Sequence, residues 1–309
     1  MEQSFLAWLR GRTAVLPQVS VGIGDDCAIL DWPIAERGAQ SLVVSTDQIC
    51  DGIDFLSGQH SLADIGRKAV LVNLSDLAAM AARPVAIFVT LSLPREEATQ
   101  VAAGVYEGIL DIAQQYGLAI PGGDITVYDG PLAISITILG SVPAERRWLR
   151  SGAQEGDAII VSGAFGGSIL GRHLRPQPRV NFALELAARF PIHAAIDVSD
   201  GLSLDLDRLC AASGVGAEFS LESIPVHGDA VALSEQDGVA AVDHAWGDGE
   251  DFELILAVGA GQVENVLAEN WGVPLTRIGT FTGRTGLWWR KANGQMERMS
   301  PRGFIHGRR

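Results

Sequence analysis

The chain has 309 residues, 47% of them hydrophobic and 19% charged, with a formal net charge of -14. That length and composition fit a folded protein with a sizeable core and two domains, and the acidity argues against a nucleic-acid binder or a ligand of anionic membranes. Only two lysines occur, Lys68 and Lys291, and no Gly-x-x-x-x-Gly-Lys-[Ser/Thr] run exists, which excludes a P-loop and the lysine signature of protein kinases.

Three cysteines, Cys27, Cys50 and Cys210, make no Cys-x-x-Cys and no disulfide framework. The start, "MEQSFLAWLRGR", reads as a short amphipathic helix without the apolar region of a signal peptide, and no run of 18 apolar residues follows. A cytoplasmic location without a membrane partner is the expectation.

In chain order, "GIGDDCAIL" (22–30) opens like a phosphate-binding turn but places Asp25 and Asp26 where the phosphates would lie. Either it is no phosphate site, or a cation stands between the charges. Residues 41–46 read as a strand with Asp47 at its end. Residues 61–84 read as a helix, with Ser61 and Asp64 resembling a capping box and Pro84 ending the run. A buried strand is expected over 85–94, a helix with acids in its first turn over 95–116, a Gly-rich turn at "PGGDIT" (121–126) and a strand over 132–141. The pattern lapses into a polar connection at 142–157, which puts the domain boundary there: 1–142 and 143–309. The second α/β region starts at "AIIVSG" (158–163). It continues with a strand ending in acids at "AIDVSDG" (195–201), the helix "LSLDLDRLCAAS", and an acidic turn leading into a strand over 247–258.

The acids recur at strand ends and Gly turns: Asp25 and Asp26, Asp47, Asp124, Asp197 and Asp200, then Glu250 and Asp251, with Asp76 inside an apolar helix. Each one alone is readable as a turn former. As a converging set they would repel, two unit charges about 4 Å apart costing roughly 4 kcal/mol at an effective dielectric of about 20. Mg²⁺, which takes one or two carboxylates plus substrate phosphates, would relieve that repulsion, and metal-assisted phosphoryl transfer follows as the reaction class.

The motifs "GIGDDCAIL", "STD", "NLSDLAAM", "GGD", "RSGAQEGD", "HLRPQPR", "DVSDG" and "GEDFEL" resemble, in order and spacing, those of bacterial thiamine-monophosphate kinase. The resemblance runs from about residue 20 to the C-terminus and extends to the ATP-binding superfamily of aminoimidazole ribonucleotide synthetase. It implies a two-domain α+β and α/β fold. The N-terminal mixed-sheet domain would form a barrel across a homodimer and bind ATP, and the C-terminal α/β domain would cover the active site. The activity implied is ATP- and Mg²⁺-dependent phosphorylation of thiamine monophosphate to thiamine diphosphate. By motif position, Asp26, Ser45, Thr46, Asp47, Asp76, Asp124, Asp197 and Asp200 resemble metal ligands. Gly123, Asp124, Arg150 and Ser199 resemble nucleotide contacts, and Glu250 and Phe304 acceptor contacts. Asp124, Arg150 and Asp200 form the implied catalytic set.

Three departures fall on the acceptor side. Asp54, at a substrate-contacting position, stands where the family usually has His. Asp248 replaces a Gly in "GDGED". The stretch between "GAFGGS" and "HLRP" lacks a helical segment of about twenty residues. Asp54 and Asp248 would suit a cationic ring better than a phosphate. The alternatives are an enzyme of the same superfamily with another phosphorylated acceptor, or a non-catalytic nucleotide-binding paralogue.

Overall fold

The structure, a computed structural model, describes residues 8, 11–12, 19–21, 29–30, 40–143 and 145–304. The Gly-Asp turn with Asp25 and Asp26, and most of the expected N-terminal helix, lie outside the described residues. Two compact units divide the chain: Met1–Leu77 with Ala82–Glu145, and Ala78–Ala81 with Arg146–Arg309.

In the first unit, two short strands, β1 (Val19–Val21) and β2 (Ile29–Leu30), pair with each other. The main sheet holds β3 (Gln40–Cys50), β4 (Arg83–Pro94), β5 (Ala119–Tyr128) and β6 (Ala133–Pro143) in the order β3-β6-β4-β5. Helices α1 (Leu62–Ala79) and α2 (Ala98–Tyr116) complete it. Ser61 caps α1 as its sequence implies, its Oγ accepting from Asp64 N–H at 3.1 Å. The helix stops at Ala79, short of Pro84, and Ala81 takes a left-handed φ of 52°. The first turn of α2 contains no acid; Glu96 and Glu97 precede it. The helices cross closely through glycine: a Cβ on Gly108 would sit 1.8 Å from the Ala63 carbonyl oxygen.

Alternation along β6 is regular, with Ile134, Ile136 and Ile138 buried and their neighbours half-exposed. Among the described residues the opposite face of the sheet stays open, and Leu42 and Val44 are 51% and 55% exposed on it.

"PGGDIT" is not a turn. It lies inside β5, an edge strand parallel to β4. Pro and Gly are tolerated on an edge strand, and here a glycine is demanded. A Cβ on Gly123 would lie 1.8 Å from the carbonyl oxygen of Val89. Gly123→Ala should therefore destabilise the fold by about 1–3 kcal/mol through forced strand separation. A thermal scan with an unchanged midpoint would contradict this.

The second unit is built on a seven-stranded, mostly antiparallel sheet of order β13-β12-β9-β11-β7-β10-β8. Its strands are β7 (Ala158–Ser162), β8 (Ala194–Asp197), β9 (Gly216–Phe219), β10 (Leu254–Val258), β11 (Leu275–Thr282), β12 (Gly286–Arg290) and β13 (Met296–Met299). β7, β8 and β10 are buried along their whole length and are apolar but for Ser162 and Asp197, the last residues of β7 and β8. Helices α3 (Val180–Arg189), α4 (Leu202–Ser213), α5 (Gly228–Asp237), α6 (Ala241–Gly247) and α7 (Val263–Ala268) connect them. Trp246 of α6 stacks on Phe219 of β9 with ring centroids 4.5 Å apart, at the centre of the core. The segment after "GAFGGS" forms two single 3-10 turns, Ser168–Leu170 and Arg172–Leu174.

Candidate active site

In the first unit, β3 and α1 bring together Ser45, Asp47 and Asp76. Ser45 Oγ donates to the Asp76 carboxylate. Burial, then the Asp76 charge and a hydrogen bond to it, push the Asp47 carboxyl up to about 7, and the charge of Asp54 acts in the same direction. The cluster thus holds carboxylates that repel when ionised. Thr46 points to the other, open face, where Thr137 Oγ1 donates to its hydroxyl at 3.1 Å.

Asp124 does not join this cluster within the chain. Across the sheet Asp47 is opposite Ile136, Ile136 opposite Val89, and Val89 opposite Gly123. Asp124 is in register with Thr90, one residue on, and so shares the open face with Gln48. β3 and β5 are the two edges, three inter-strand gaps or about 14 Å apart. Among the described residues no group of three or more His, Cys, Asp or Glu side chains stands ready to hold a metal ion.

Asp54 lies in the turn after β3, where its carboxylate accepts from Cys50 N–H at 2.7 Å.

In the second unit, four segments distant in sequence meet. Asp197 ends β8 and is buried. The carbonyl of Ser199 accepts from Glu250 N–H at 2.7 Å, and that of Asp200 from Phe304 N–H at 2.9 Å. Val198 N–H donates to Glu253 O at 2.8 Å. Ser199, Asp200, Glu250 and Phe304 therefore occupy one locality. Glu250 and Phe252 hold left-handed φ angles of 61° and 53°, a backbone cost typical of functional loops. Gly303 is needed where the tail passes the turn, since a Cβ there would lie 2.4 Å from Asp200 O. Arg150 is exposed, and its carbonyl accepts from Ser213 Oγ at 3.0 Å.

Several charged side chains near this locality are not among the site residues that the resemblance implies. Arg208 of α4 contacts both Asp200 and, at 2.7 Å, Asp205. Asp205, buried, has its carboxyl pushed up to about 6 by desolvation, against the Asp200 N–H bond and Arg208, which pull it down. The i, i+3 spacing of Asp205 and Arg208 was the available signal. Asp251 accepts from Gly166 N–H at 3.0 Å and from Arg172 at 2.9 Å; burial still holds its carboxyl up at about 7. Arg172 also donates to Gly166 O at 2.9 Å. Arg179 donates to buried Glu253 at 2.6 Å, and Ser162 Oγ donates to the same carboxylate at 2.5 Å.

Asp248, two residues before Glu250, is held by groups from another loop and helix. Its carboxylate accepts from Gly167 N–H at 2.9 Å and lies 3.0 Å from His244 Nδ1. It ties the "GAFGGS" loop to the "GDGED" loop.

The family models for AIR synthase related proteins match this chain, the N-terminal domain over residues 24–142 and the C-terminal domain over 132–289. A thiamine-monophosphate kinase of Rhodopirellula baltica is 57% identical over 310 residues, covering 99% of this chain and 98% of the relative. The chain belongs to the thiamine-monophosphate kinase family. The family's fold is shared at the level of coordinates. The thiamine-monophosphate kinase of Stenotrophomonas maltophilia K279a superposes with a TM-score of 0.78 at 36% identity, covering 91% of this chain and 94% of that one. The structure of AaThiL complexed with AMPPCP and TMP gives a TM-score of 0.76 at 26% identity, covering 86% and 87%. The mixed α/β two-domain architecture is thus that of the thiamine-monophosphate kinases.

Proposed function

We propose that this chain transfers the γ-phosphoryl group of ATP to thiamine monophosphate, giving thiamine diphosphate. The observation that carries the reading is the Ser45–Asp47–Asp76 cluster in a member of this family. It offers hard oxygen donors with two mutually repelling carboxylates, and Asp47 is held up to about 7. That donor set fits Mg²⁺, which is held by one or two carboxylates and completed by phosphate oxygens and water. Asp47, Asp76 and Ser45 would hold it, with Asp26, Thr46, Asp124, Asp197 and Asp200 as the further ligands of the reading. Bound Mg²⁺ would neutralise polyphosphate charge.

The chain's own residues then position the reactants. An acceptor phosphate is already largely ionised near neutral pH, its second pKa being about 6, so no general base is required. In-line positioning and charge neutralisation suffice. Arg150, Gly123 and Ser199 are assigned to the nucleotide, Arg150 as a bidentate phosphate contact. Glu250 and Phe304 are assigned to the acceptor, on a loop and tail that hydrogen bonds hold against the 197–201 turn. Asp54 and Asp248 each accept a backbone N–H, from Cys50 and Gly167, which fixes where their charges sit.

A homodimer belongs to the same reading. The sheet face left open among the described residues and the two edge strands, β3 and β5, suit a barrel closed across two copies. Such closure would draw the Asp124 edge of one protomer toward the Asp47 edge of its partner. Sedimentation should show a dimer at micromolar concentration, and a strict monomer would count against both barrel and shared site. A cytoplasmic location goes with ATP as co-substrate; among the described residues no helix is long and apolar enough to cross a membrane. The deciding assay is turnover of purified protein with ATP, Mg²⁺ and thiamine monophosphate against other phosphorylated acceptors. Turnover only with another acceptor would overturn the reading.

A further inference from the structure

The chain is acidic, yet residues 275–302 carry six basic residues, Arg277, Arg284, Arg290, Lys291, Arg298 and Arg302, against one acid, Glu297. The fold collects four of the six on one face of the second sheet. Ala217 and Phe219 of β9, Ile278 and Phe281 of β11 and Leu287 of β12 enter the core, so the residues that alternate with them face the other way. Register lines up Thr280, Glu218, Trp288 and Arg298 in one row across β11, β9, β12 and β13. Arg277 joins the row by donating to Thr280 Oγ1 at 2.9 Å, and Arg290 by its ion pair with Glu218. The Arg284 guanidinium lies over the Trp288 ring, 3.1 Å from its centroid, and that of Arg298 lies 6.0 Å from it. All four arginines are exposed. Lys291 and Arg302 are accounted for elsewhere, by Glu297 and by Asp243.

The row holds a single acid, Glu218, and Arg290 takes it. The described contacts of Arg277, Arg284 and Arg298 are with a hydroxyl and a ring, none with a carboxylate, although acids outnumber bases 37 to 23 in the chain. Their forks are thus left to an outside anion. Stacking on Trp288 orders two of them in advance, which lowers the entropy lost when a carboxylate is bound bidentately. Between Arg277 and Arg290 the face is recessed into a groove of about 410 Å³, also lined by Glu218, Ser220 and Thr280.

We propose that this face docks a short acidic peptide segment of a partner protein, which lies along the row and sets its carboxylates on Arg277, Arg284, Arg290 and Arg298. The row crosses three inter-strand gaps, about 14 Å, which is the reach of about four extended residues and more than one small anion covers. A nucleic acid fits less well. Arg284 already covers the Trp288 ring on which a base would stack. A long polyanion also meets the repulsion of a chain at -14, whereas a short segment feels mainly the charges within a Debye length of about 8 Å.

The test is fluorescence anisotropy of a labelled hexaglutamate peptide titrated with the full chain in low-salt buffer without Mg²⁺. Each exposed ion pair is a few-fold effect, so Arg284→Gln with Arg298→Gln should raise Kd about 10-fold. Arg95→Gln, at an exposed arginine of the first unit paired with Asp129, should leave Kd within about twofold. If the double variant does not fold, Arg277→Gln removes no ring contact and reads the same face through a rise of about threefold. No binding by wild type, an unchanged Kd in the variants of the row, or an equal loss in Arg95→Gln would overturn the site. A hexathymidylate or inorganic tripolyphosphate that binds as tightly as the peptide would overturn the choice of partner.

Discussion

Asp76→Asn is expected to lower turnover by about 10³-fold or more at saturating ATP and Mg²⁺, because it removes one of the charges that would hold the metal and leaves the polyphosphate uncompensated. The fold should survive, since Asn keeps the shape and still offers an oxygen to Ser45 Oγ. Stability supplies an independent check through the sign of the linkage. The folded Asp47 carboxyl sits at about 7, against an ordinary value of 3.8. The folded state therefore binds more protons than the unfolded state between those values, and its stability falls as pH rises through that window. Removing the Asp76 charge relieves part of that fall. In Mg²⁺-free buffer the variant should match wild type near pH 4 and melt higher at pH 8. Normal turnover would sink the metal assignment, and a variant less stable than wild type at pH 8 would sink the repulsion argument.

Arg179→Met is expected to destabilise the second unit by about 3–5 kcal/mol, the usual consequence of stranding a buried charge. Glu253 is 4% exposed and is held by Arg179 and Ser162. Packing leaves it no retreat: a Cβ on Gly163 would already lie 1.9 Å from its Oε1. Glu253 O also anchors Val198 N–H, so the loss should loosen the turn that carries Ser199 and Asp200. The expected fall in melting temperature is roughly 6–15 °C for a unit of this size. The double variant Arg179→Met with Glu253→Met should recover most of it, because the pair is then replaced by apolar bulk. A single variant as stable as wild type would show that the pair carries no structural weight.

Legibility differed between elements for identifiable reasons. Helix α1 was readable because capping and apolar periodicity are local: Ser61, Asp64 and the run to Ala79 settle it among themselves. β7, β8 and β10 were readable because a strand buried on both faces is mostly apolar, and only Ser162 and Asp197 at the ends of β7 and β8 depart from that. "PGGDIT" was misread as a turn because Gly and Pro carry the same local signal in a turn and in an edge strand. The choice between them belongs to β4, thirty residues earlier, whose Val89 carbonyl comes so close that Gly123 must lack a Cβ. The partners of Asp248 were not legible, because Gly167 and His244 come from a different loop and helix.

The sequence by itself determined the inventory: an α/β protein with a recurring set of acids, and motifs specific enough to identify the thiamine-monophosphate kinase family. Those features depend on residue type and short spacing, which one-dimensional order preserves. Only the tertiary structure decided what each charge does. It joined Asp47 to Asp76 through Ser45, put Asp124 on the opposite edge and face of the sheet, gave Asp54 and Asp248 to backbone N–H groups, and paired Arg179 with Glu253. A carboxylate's role is set by burial and by the charges and donors within a few ångströms, and in a fold with strands so far out of sequence order those neighbours are brought in from distant parts of the chain.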